Sequence, residues 1–250
     1  MFPPHSVPTN REPYDGCSMI SIVMPAHNEE GYLEPAVKLV VTGMRDRAVD
    51  FEVIIVENGS VDNTKIGAAA LSKAFPEVLV QSSPVPDYGR ALKSGFQTAR
   101  GEIVVNFDVD LVDLDFLDRA LASMDESDVA IVVGSKRSPG AEDRRGAGRR
   151  LITAIFAAVL RLGFGLRISD THGLKALRRE PLVPLVDTCR FGKDIFDTEL
   201  ILRTERAGLV VGEIPVVVSE QRAPRTSIAR RIPHALIGLV RLRVALIMGR

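Results

Sequence analysis

The 250-residue sequence predicts an α/β fold with a mostly parallel central sheet and helices on both faces. Three observations predict it. Short apolar, β-branched runs alternate with helical periodicity from Met19 to Gly134, as crossover helices joining parallel strands require. The strands are the buried kind that such sheets carry, short and rich in Val and Ile. Polar clusters at 28–30, 57–60 and 108–110 all fall at predicted strand ends, where open α/β sheets bind their ligands.

Taken in order, Met19 to Pro25 is a strand that breaks at Ala26-His27-Asn28-Glu29-Glu30-Gly31. Leu33, Val37, Val40, Val41 and Met44 follow at helical spacing. Phe51 to Val56 is a second strand, ending in Glu57-Asn58-Gly59-Ser60, and a helix runs from Asp62 to Phe75 with Ser60 or Asp62 placed to cap it. Val78 to Gln81 is a third strand and Ala91 to Ala99 a helix. A strand from Glu102 to Asp108, a helix near Leu114 to Met124 and a strand at Val129 to Gly134 complete the alternation. It then lapses: a Gly- and Arg-rich loop (Ser135 to Arg150) and an apolar helix (Leu151 to Leu162) precede a turn from Asp170 leading into a strand by Leu177. Asp197 to Ala207 reads as a helix and Val210 to Val218 as a strand, and this second half is expected to form an acceptor-side portion.

Composition sets the bounds. With 46% hydrophobic and 26% charged residues, neither a disordered nor a fibrous chain is expected. The formal net charge of zero hides an asymmetry, because residues 221–250 hold seven Arg and no acidic residue while residues 1–220 carry a net of −7. Such a tail suits an anionic partner: a membrane surface or a phosphorylated ligand. Nucleic acid is not expected, since no aromatics interleave the basic residues. Cys17 and Cys189 make no disulfide framework, which points to a reducing, cytoplasmic compartment. The expected parts are a disordered leader at 1–17, a main domain at 18–228 and a basic apolar helix at 229–250. No run is long and apolar enough to span a bilayer; the last helix is expected to lie at an interface, be buried, or contact a second copy or a membrane-protein partner.

The most informative stretch is Asn106-Phe107-Asp108-Val109-Asp110. If the strand stays extended through it, Asp108 and Asp110 point to one side and repel each other. A hard cation of the Mg²⁺ or Mn²⁺ type relieves that repulsion and keeps coordination positions open for phosphates. The same stretch also reads as an acidic strand-to-helix connection with Asp113 or Asp115 as a helix cap. Neither a dinucleotide fingerprint nor a P-loop is present, so phosphates would rely on a metal and basic side chains.

Several segments together resemble family 2 glycosyltransferases of the GT-A fold. They are Pro25-Ala-His-Asn-Glu-Glu, Val56-Glu-Asn-Gly-Ser-Val-Asp-Asn-Thr, Gly89-Arg-Ala-Leu-Lys-Ser-Gly-Phe and Asp108-Val-Asp. Gly134-Ser-Lys, Asp170-Thr-His-Gly-Leu-Lys, Phe196-Asp-Thr-Glu-Leu and Glu213-Ile-Pro-Val are similar to the dolichol-phosphate mannose synthase branch, which makes polyprenyl-phosphate sugars. The resemblance, from Met19 to Ser227, implies transfer of a sugar from a GDP- or UDP-linked donor to a polyprenyl phosphate, with inversion. It implies that Pro25, Ala26, Asn28 and Glu29 line the base and ribose pocket, with Glu57 on the base or ribose side. Asp108 and Asp110 match the metal and sugar-nucleotide motif, and Glu199 also matches a family position. Departures are Glu57-Asn58 for the family's Asp-Asp, Val112 for a polar residue, Lys136 for an Arg that meets phosphate, and Arg225 and Ile228 in the segment that keeps Arg222 and Ser227 for phosphate.

A phosphate acceptor is already ionised and needs no general base. A soluble or polysaccharide hydroxyl acceptor needs one, for which Asp170, Asp194, Asp197 and Glu199 are the candidates. The non-catalytic alternative is a nucleotide-sugar-binding protein, suggested by Val112, Lys136 and Ile228.

Overall fold

The computed structural model describes residues 19–144, 146–193, 195–218 and 228–248. The expected leader, together with Asp194, Arg222 and Ser227, lies outside the described residues. Strands β1 (Ile20–Ala26), β2 (Phe51–Asn58), β3 (Val78–Ser83) and β4 (Ile103–Asn106) alternate with helices α1 (Leu33–Asp46), α2 (Thr64–Ala74) and α3 (Tyr88–Thr98). Helix α4 (Leu114–Glu126) leads to β5 (Val129–Ser135), then β6 (Glu142–Asp143), α5 (Ala147–Phe164) and β7 (Lys175–Arg178). Helices α6 (Arg179–Thr188) and α7 (Phe196–Arg206), strands β8 (Val210–Pro215) and β9 (Val217–Val218), and α8 (Ile228–Ile247) complete the order.

The main sheet has seven strands in the order β3-β2-β1-β4-β7-β5-β8. All neighbours are parallel except β7, which runs antiparallel to both β4 and β5. The mostly parallel sheet is therefore as expected, and the second half does not sit apart from it: β7 is threaded into its middle. β6 and β9 pair separately, at Glu142↔Val217 and Asp143↔Val218.

Every residue of β1 and β5 is buried, because helices cover both faces. On one face Ile20, Ile22 and Met24 pack with Val37 and Val41 of α1 and Phe116 and Leu117 of α4. On the other, Val23, Ile54 and Val104 pack with Leu92 and Phe96 of α3, Leu182 of α6 and Phe196 and Leu200 of α7. Close approach makes Gly95 necessary, since a Cβ there would lie 2.3 Å from Val23 Cγ1. Helix α6 is missing from the sequence reading because Pro181 and Pro184 argue against it. Pro181 falls in the first turn, where no ladder bond is lost, and only Pro184 is internal. Helix α5 extends beyond Leu151–Leu162 at both ends and closes on Gly165, φ +73°, in the left-handed conformation that glycine adopts freely.

One buried polar knot ties the sheet's amino end. Ser21 donates to Glu52 Oε1 at 2.7 Å, and the Arg100 backbone N–H reaches the same oxygen at 2.7 Å. The Arg100 guanidinium lies 2.8 Å from Oε2. Burial pushes the Glu52 pKa up, but the Ser21 and Arg100 hydrogen bonds outweigh it and leave the carboxyl below its ordinary value. Glu52→Ala is expected to cost about 2 kcal/mol, because it leaves the Arg100 N–H and the Ser21 hydroxyl without their acceptor. Since the folded-state pKa is depressed, the wild-type advantage is full above the unfolded-state value and fades as pH falls through the folded one. Urea unfolding of both proteins at neutral and acid pH measures this.

Candidate active site

The carboxyl ends of β1, β2 and β4 carry the polar clusters, and hydrogen bonds lace their loops together. After β1 the chain turns at Asn28, whose φ of +56° is a left-handed value that asparagine tolerates. Asn28 N–H donates to Ser60 Oγ at 3.0 Å, and its Oδ1 accepts from Val61 N–H at 2.9 Å. Glu29 N–H donates to Thr64 Oγ1 at 2.7 Å. Glu57 closes its own turn, with Oε1 accepting Ser60 N–H at 2.6 Å, and Asn58 Oδ1 accepts Asp87 N–H at 2.8 Å. Pro25, Ala26, Glu29, Glu57 and Asn58 are all buried around this junction. Asp62 acts as the start signal for α2, accepting from Thr64 N–H at 3.0 Å.

The Asp108 region corrects the expected geometry. β4 ends at Asn106, and Asp108 to Leu111 is a turn closed by Leu111 N–H on Asp108 O at 2.9 Å. Convergence of the two carboxylates therefore comes from a turn and not from side-chain alternation in an extended strand. They still feel one another. Burial raises the Asp108 pKa and the Asp110 and Asp197 carboxylates raise it further, while a hydrogen bond from Tyr88 and the Lys175 ammonium oppose them. The Tyr88 hydroxyl donates to Asp108 Oδ1 at 2.7 Å. Asp113 caps α4 by accepting Phe116 N–H at 2.8 Å, as the helix-cap reading of this acidic stretch expects.

The inserted strand supplies the cation. β7 pairs Lys175 with Asn106, placing both on the face covered by α3 and α7. Lys175 is fully buried and lies 2.8 Å from Asp197 Oδ1, near the start of α7. Its Nζ also donates to Gly173 O at 2.8 Å. Beside it the Asn106 amide is 1% exposed and neither its nitrogen nor its oxygen has a hydrogen-bond partner. Sequence reading passed over Tyr88, Asn106 and Lys175. The last stood within the Asp170–Lys175 segment, but its pairing with a carboxylate 22 positions on leaves no local signal.

A second group lies at the ends of β5 and β8. Lys136 Nζ is 3.3 Å from Asp170 Oδ2 and donates to His172 O at 2.6 Å, so two of the expected site residues come together. Asp170 Oδ1 accepts His172 N–H at 3.0 Å, and Glu213 Oε1 receives the Ser169 hydroxyl at 2.8 Å. Glu199 has other partners: Oε2 accepts the N–H groups of Arg190 and Phe191 at 2.9 Å, and Oε1 is 2.8 Å from Arg203. It is fully buried and ties the α6–α7 loop.

A mostly parallel seven-stranded sheet with one reversed strand, and with acidic and amide side chains gathered at its carboxyl edge, is an α/β fold of the GT-A class. Residues 21–185 match Glycosyl transferase family 2, and the chain belongs to that family. It is 30% identical over 217 residues to glycosyltransferase AglD of Haloferax volcanii, covering 84% of this chain and 35% of that protein. Dolichyl-phosphate beta-glucosyltransferase ALG5A of Trichomonas vaginalis is 27% identical over 228 residues, covering 86% and 70% respectively. The chain thus spans about a third of the first relative's length and over two thirds of the second's. Among solved structures, glucosyl-3-phosphoglycerate synthase from Mycobacterium tuberculosis, in complex with Mn²⁺, UDP-glucose and phosphoglyceric acid, superposes with a TM-score of 0.69 at 23% identity. That match covers 92% of this chain and 80% of the synthase.

The buried pair generates a stability test. Lys175→Met leaves Asp197 as an uncompensated buried charge and is expected to cost roughly 3–5 kcal/mol. Lys175→Met combined with Asp197→Leu should regain much of that loss, and chemical denaturation of both variants reports it.

Proposed function

We propose that this protein transfers a sugar from a GDP- or UDP-linked donor to a polyprenyl phosphate, with inversion, at the cytoplasmic face of a membrane. One observation carries the choice of acceptor. Each described candidate for a general base is already engaged by a cation: Asp170 by Lys136, Asp197 by Lys175 and Glu199 by Arg203. A carboxylate held by an ammonium or guanidinium is a poor proton acceptor for an attacking hydroxyl. A phosphate monoester, largely dianionic above about pH 6, attacks without one. The relative from Trichomonas vaginalis, named for dolichyl phosphate, supports the same reading.

For the donor, we assign the laced loops at Pro25, Ala26, Asn28, Glu29, Glu57 and Asn58 to the nucleoside. Asp108 and Asp110 offer hard oxygens that repel each other, a donor set that fits Mg²⁺ or Mn²⁺. No group of three His, Cys, Asp or Glu side chains among the described residues is placed to hold an ion. In this reading the two aspartates would hold the cation, leaving coordination positions for the donor's phosphates. When bound, the ion offsets the charge that grows on the leaving phosphates. The structural relative holds Mn²⁺ with UDP-glucose, which supports this cofactor. Lys136, Arg222 and Ser227 are assigned to phosphate.

Two helices suit a lipid partner. Leu151, Ile155, Val159 and Leu162 form an exposed stripe on α5, and Ile237, Val240, Val244 and Ile247 form another on α8. Arg241 and Arg243 are exposed among the second set. Among the described residues no helix is long and apolar enough to cross a membrane, so the proposed contact is interfacial. The hydroxyl-acceptor alternative draws on the likeness to glucosyl-3-phosphoglycerate synthase, whose structure holds phosphoglyceric acid.

Labelled sugar should move from a GDP- or UDP-sugar into organic-extractable lipid when polyprenyl phosphate, Mn²⁺ and vesicles are supplied. Asp108→Asn and Asp110→Asn are each expected to lower this rate at least about 100-fold while leaving the folded spectrum unchanged. Product appearing only on a water-soluble acceptor would sink the lipid reading, and wild-type rates in either variant would remove the aspartates from it.

A further inference from the structure

Asp108 has a neighbour to which the proposed reaction gives no role. The Tyr88 hydroxyl donates to its Oδ1 at 2.7 Å. Tyr88 is the first residue of α3, and the start of this helix is pinned on several sides. Asp87, the cap, accepts Arg90 N–H at 3.0 Å and Lys193 N–H at 2.6 Å through Oδ1. Its own N–H donates to Asn58 Oδ1. A Cβ on Gly89 would lie 2.6 Å from Phe196 Cβ, so the helix start rests directly against α7. Lys193 itself has φ +47°, a value a lysine adopts only at a cost, and the bond from its N–H to Asp87 helps to hold it there. The tyrosine ring is therefore presented by a clamp that joins the loop after β2 to the loop between α6 and α7.

We propose that Tyr88 is a positioning residue: its hydroxyl fixes the Asp108 carboxylate in the orientation that receives a divalent cation together with the donor's diphosphate. The proposal rests on the metal reading above. Occupying Oδ1 leaves Oδ2 for the ion and sets the plane of the carboxylate. Without the hydroxyl, Asp108 faces the like charges of Asp110 and Asp197 with one attractive contact fewer, and rotation away from them is favoured. A phenylalanine would fill the same volume, so packing does not account for the hydroxyl. Partners that orient a metal-binding side chain commonly change metal affinity by 10- to 100-fold.

Tyr88→Phe removes a single oxygen and is the test. Calorimetry should show Mn²⁺-dependent binding of UDP or GDP weakened about 10- to 100-fold, while binding of the same nucleotide without metal is unchanged. The metal-free measurement also shows that the variant is folded. In an Asp108→Asn background the same change should cost nothing further, because Tyr88 acts through that carboxylate. Wild-type affinity in Tyr88→Phe, loss of metal-free binding, or an equal loss in both backgrounds would overturn the assignment. A wild-type protein that binds both nucleotides without any metal dependence would overturn the metal reading and this inference together. Metal-dependent binding in wild type, equalled by the variant, would remove Tyr88 alone.

Discussion

At the carboxyl edge of the sheet burial and the carboxylates of Asp110 and Asp197 make Asp108 harder to ionise, and the buried ammonium of Lys175, 2.8 Å from Asp197 Oδ1, opposes them. Their arrangement depends on that balance. An isolated buried cation would cost several kcal/mol, as would an isolated buried carboxylate, so each fixes where the other can be. Apolar residues would pack this space at least as stably. The presence of charge there is better explained by chemistry at the adjoining edge than by folding.

The reversed strand makes this balance possible. A sheet of parallel strands alone would bring only loops and helix starts to its carboxyl edge. β7 runs the other way, so its first residue, Lys175, stands beside the last residue of β4, Asn106. The turn before β7 is then delivered to the same edge. Gly173 lies so close to the neighbouring strand that a Cβ would meet Gly134 O at 2.4 Å. Antiparallel insertion thus couples the Asp170 to Lys175 segment to the two-aspartate turn by main-chain pairing, which is stiffer than a loop contact.

Legibility in the sequence followed the range of the interactions. Strands β1, β2, β4 and β5 were plain because burial on both faces leaves a continuous apolar run, and α1 because its apolar stripe repeats at helical spacing. The acidic clusters could be placed at strand ends for the same reason. Where β4 stops was not legible: Phe107 and Val109 continue the apolar pattern, yet a turn closed by Leu111 N–H on Asp108 O breaks the alternation at Asp108. Helix α6 was hidden by two prolines that the fold places where they do least harm. Tyr88 and Lys175 act through partners 20 and 22 positions distant, and no periodicity records a pairing of that kind. Asp197 and Glu199 look alike as early acids of one helix, and only tertiary structure separates a residue that meets Lys175 from one that ties down Arg190 and Phe191.

The proposed lipid acceptor also has a geometric logic. Phe156 of α5 meets His172 edge-on at 5.5 Å between ring centres, and His172 belongs to the Lys136 and Asp170 group. At the far end of α5, the Arg243 guanidinium sits 5.7 Å from the centre of the Phe164 ring. α8 is tied to α7 along its length: a Cβ on Gly238 would reach Ile195, and Arg206 donates to Leu246 O at 3.4 Å. The two exposed apolar stripes are therefore fastened to the helix that carries Asp197 and to the turn that carries Asp170. A polyprenyl phosphate keeps its chain in the bilayer and its phosphate at the surface. An enzyme using it gains from apolar helices next to its acceptor group, because the phosphate then reaches that group while the chain remains in hydrocarbon. A water-soluble acceptor places no such demand on the exposed leucine and isoleucine of the two helices.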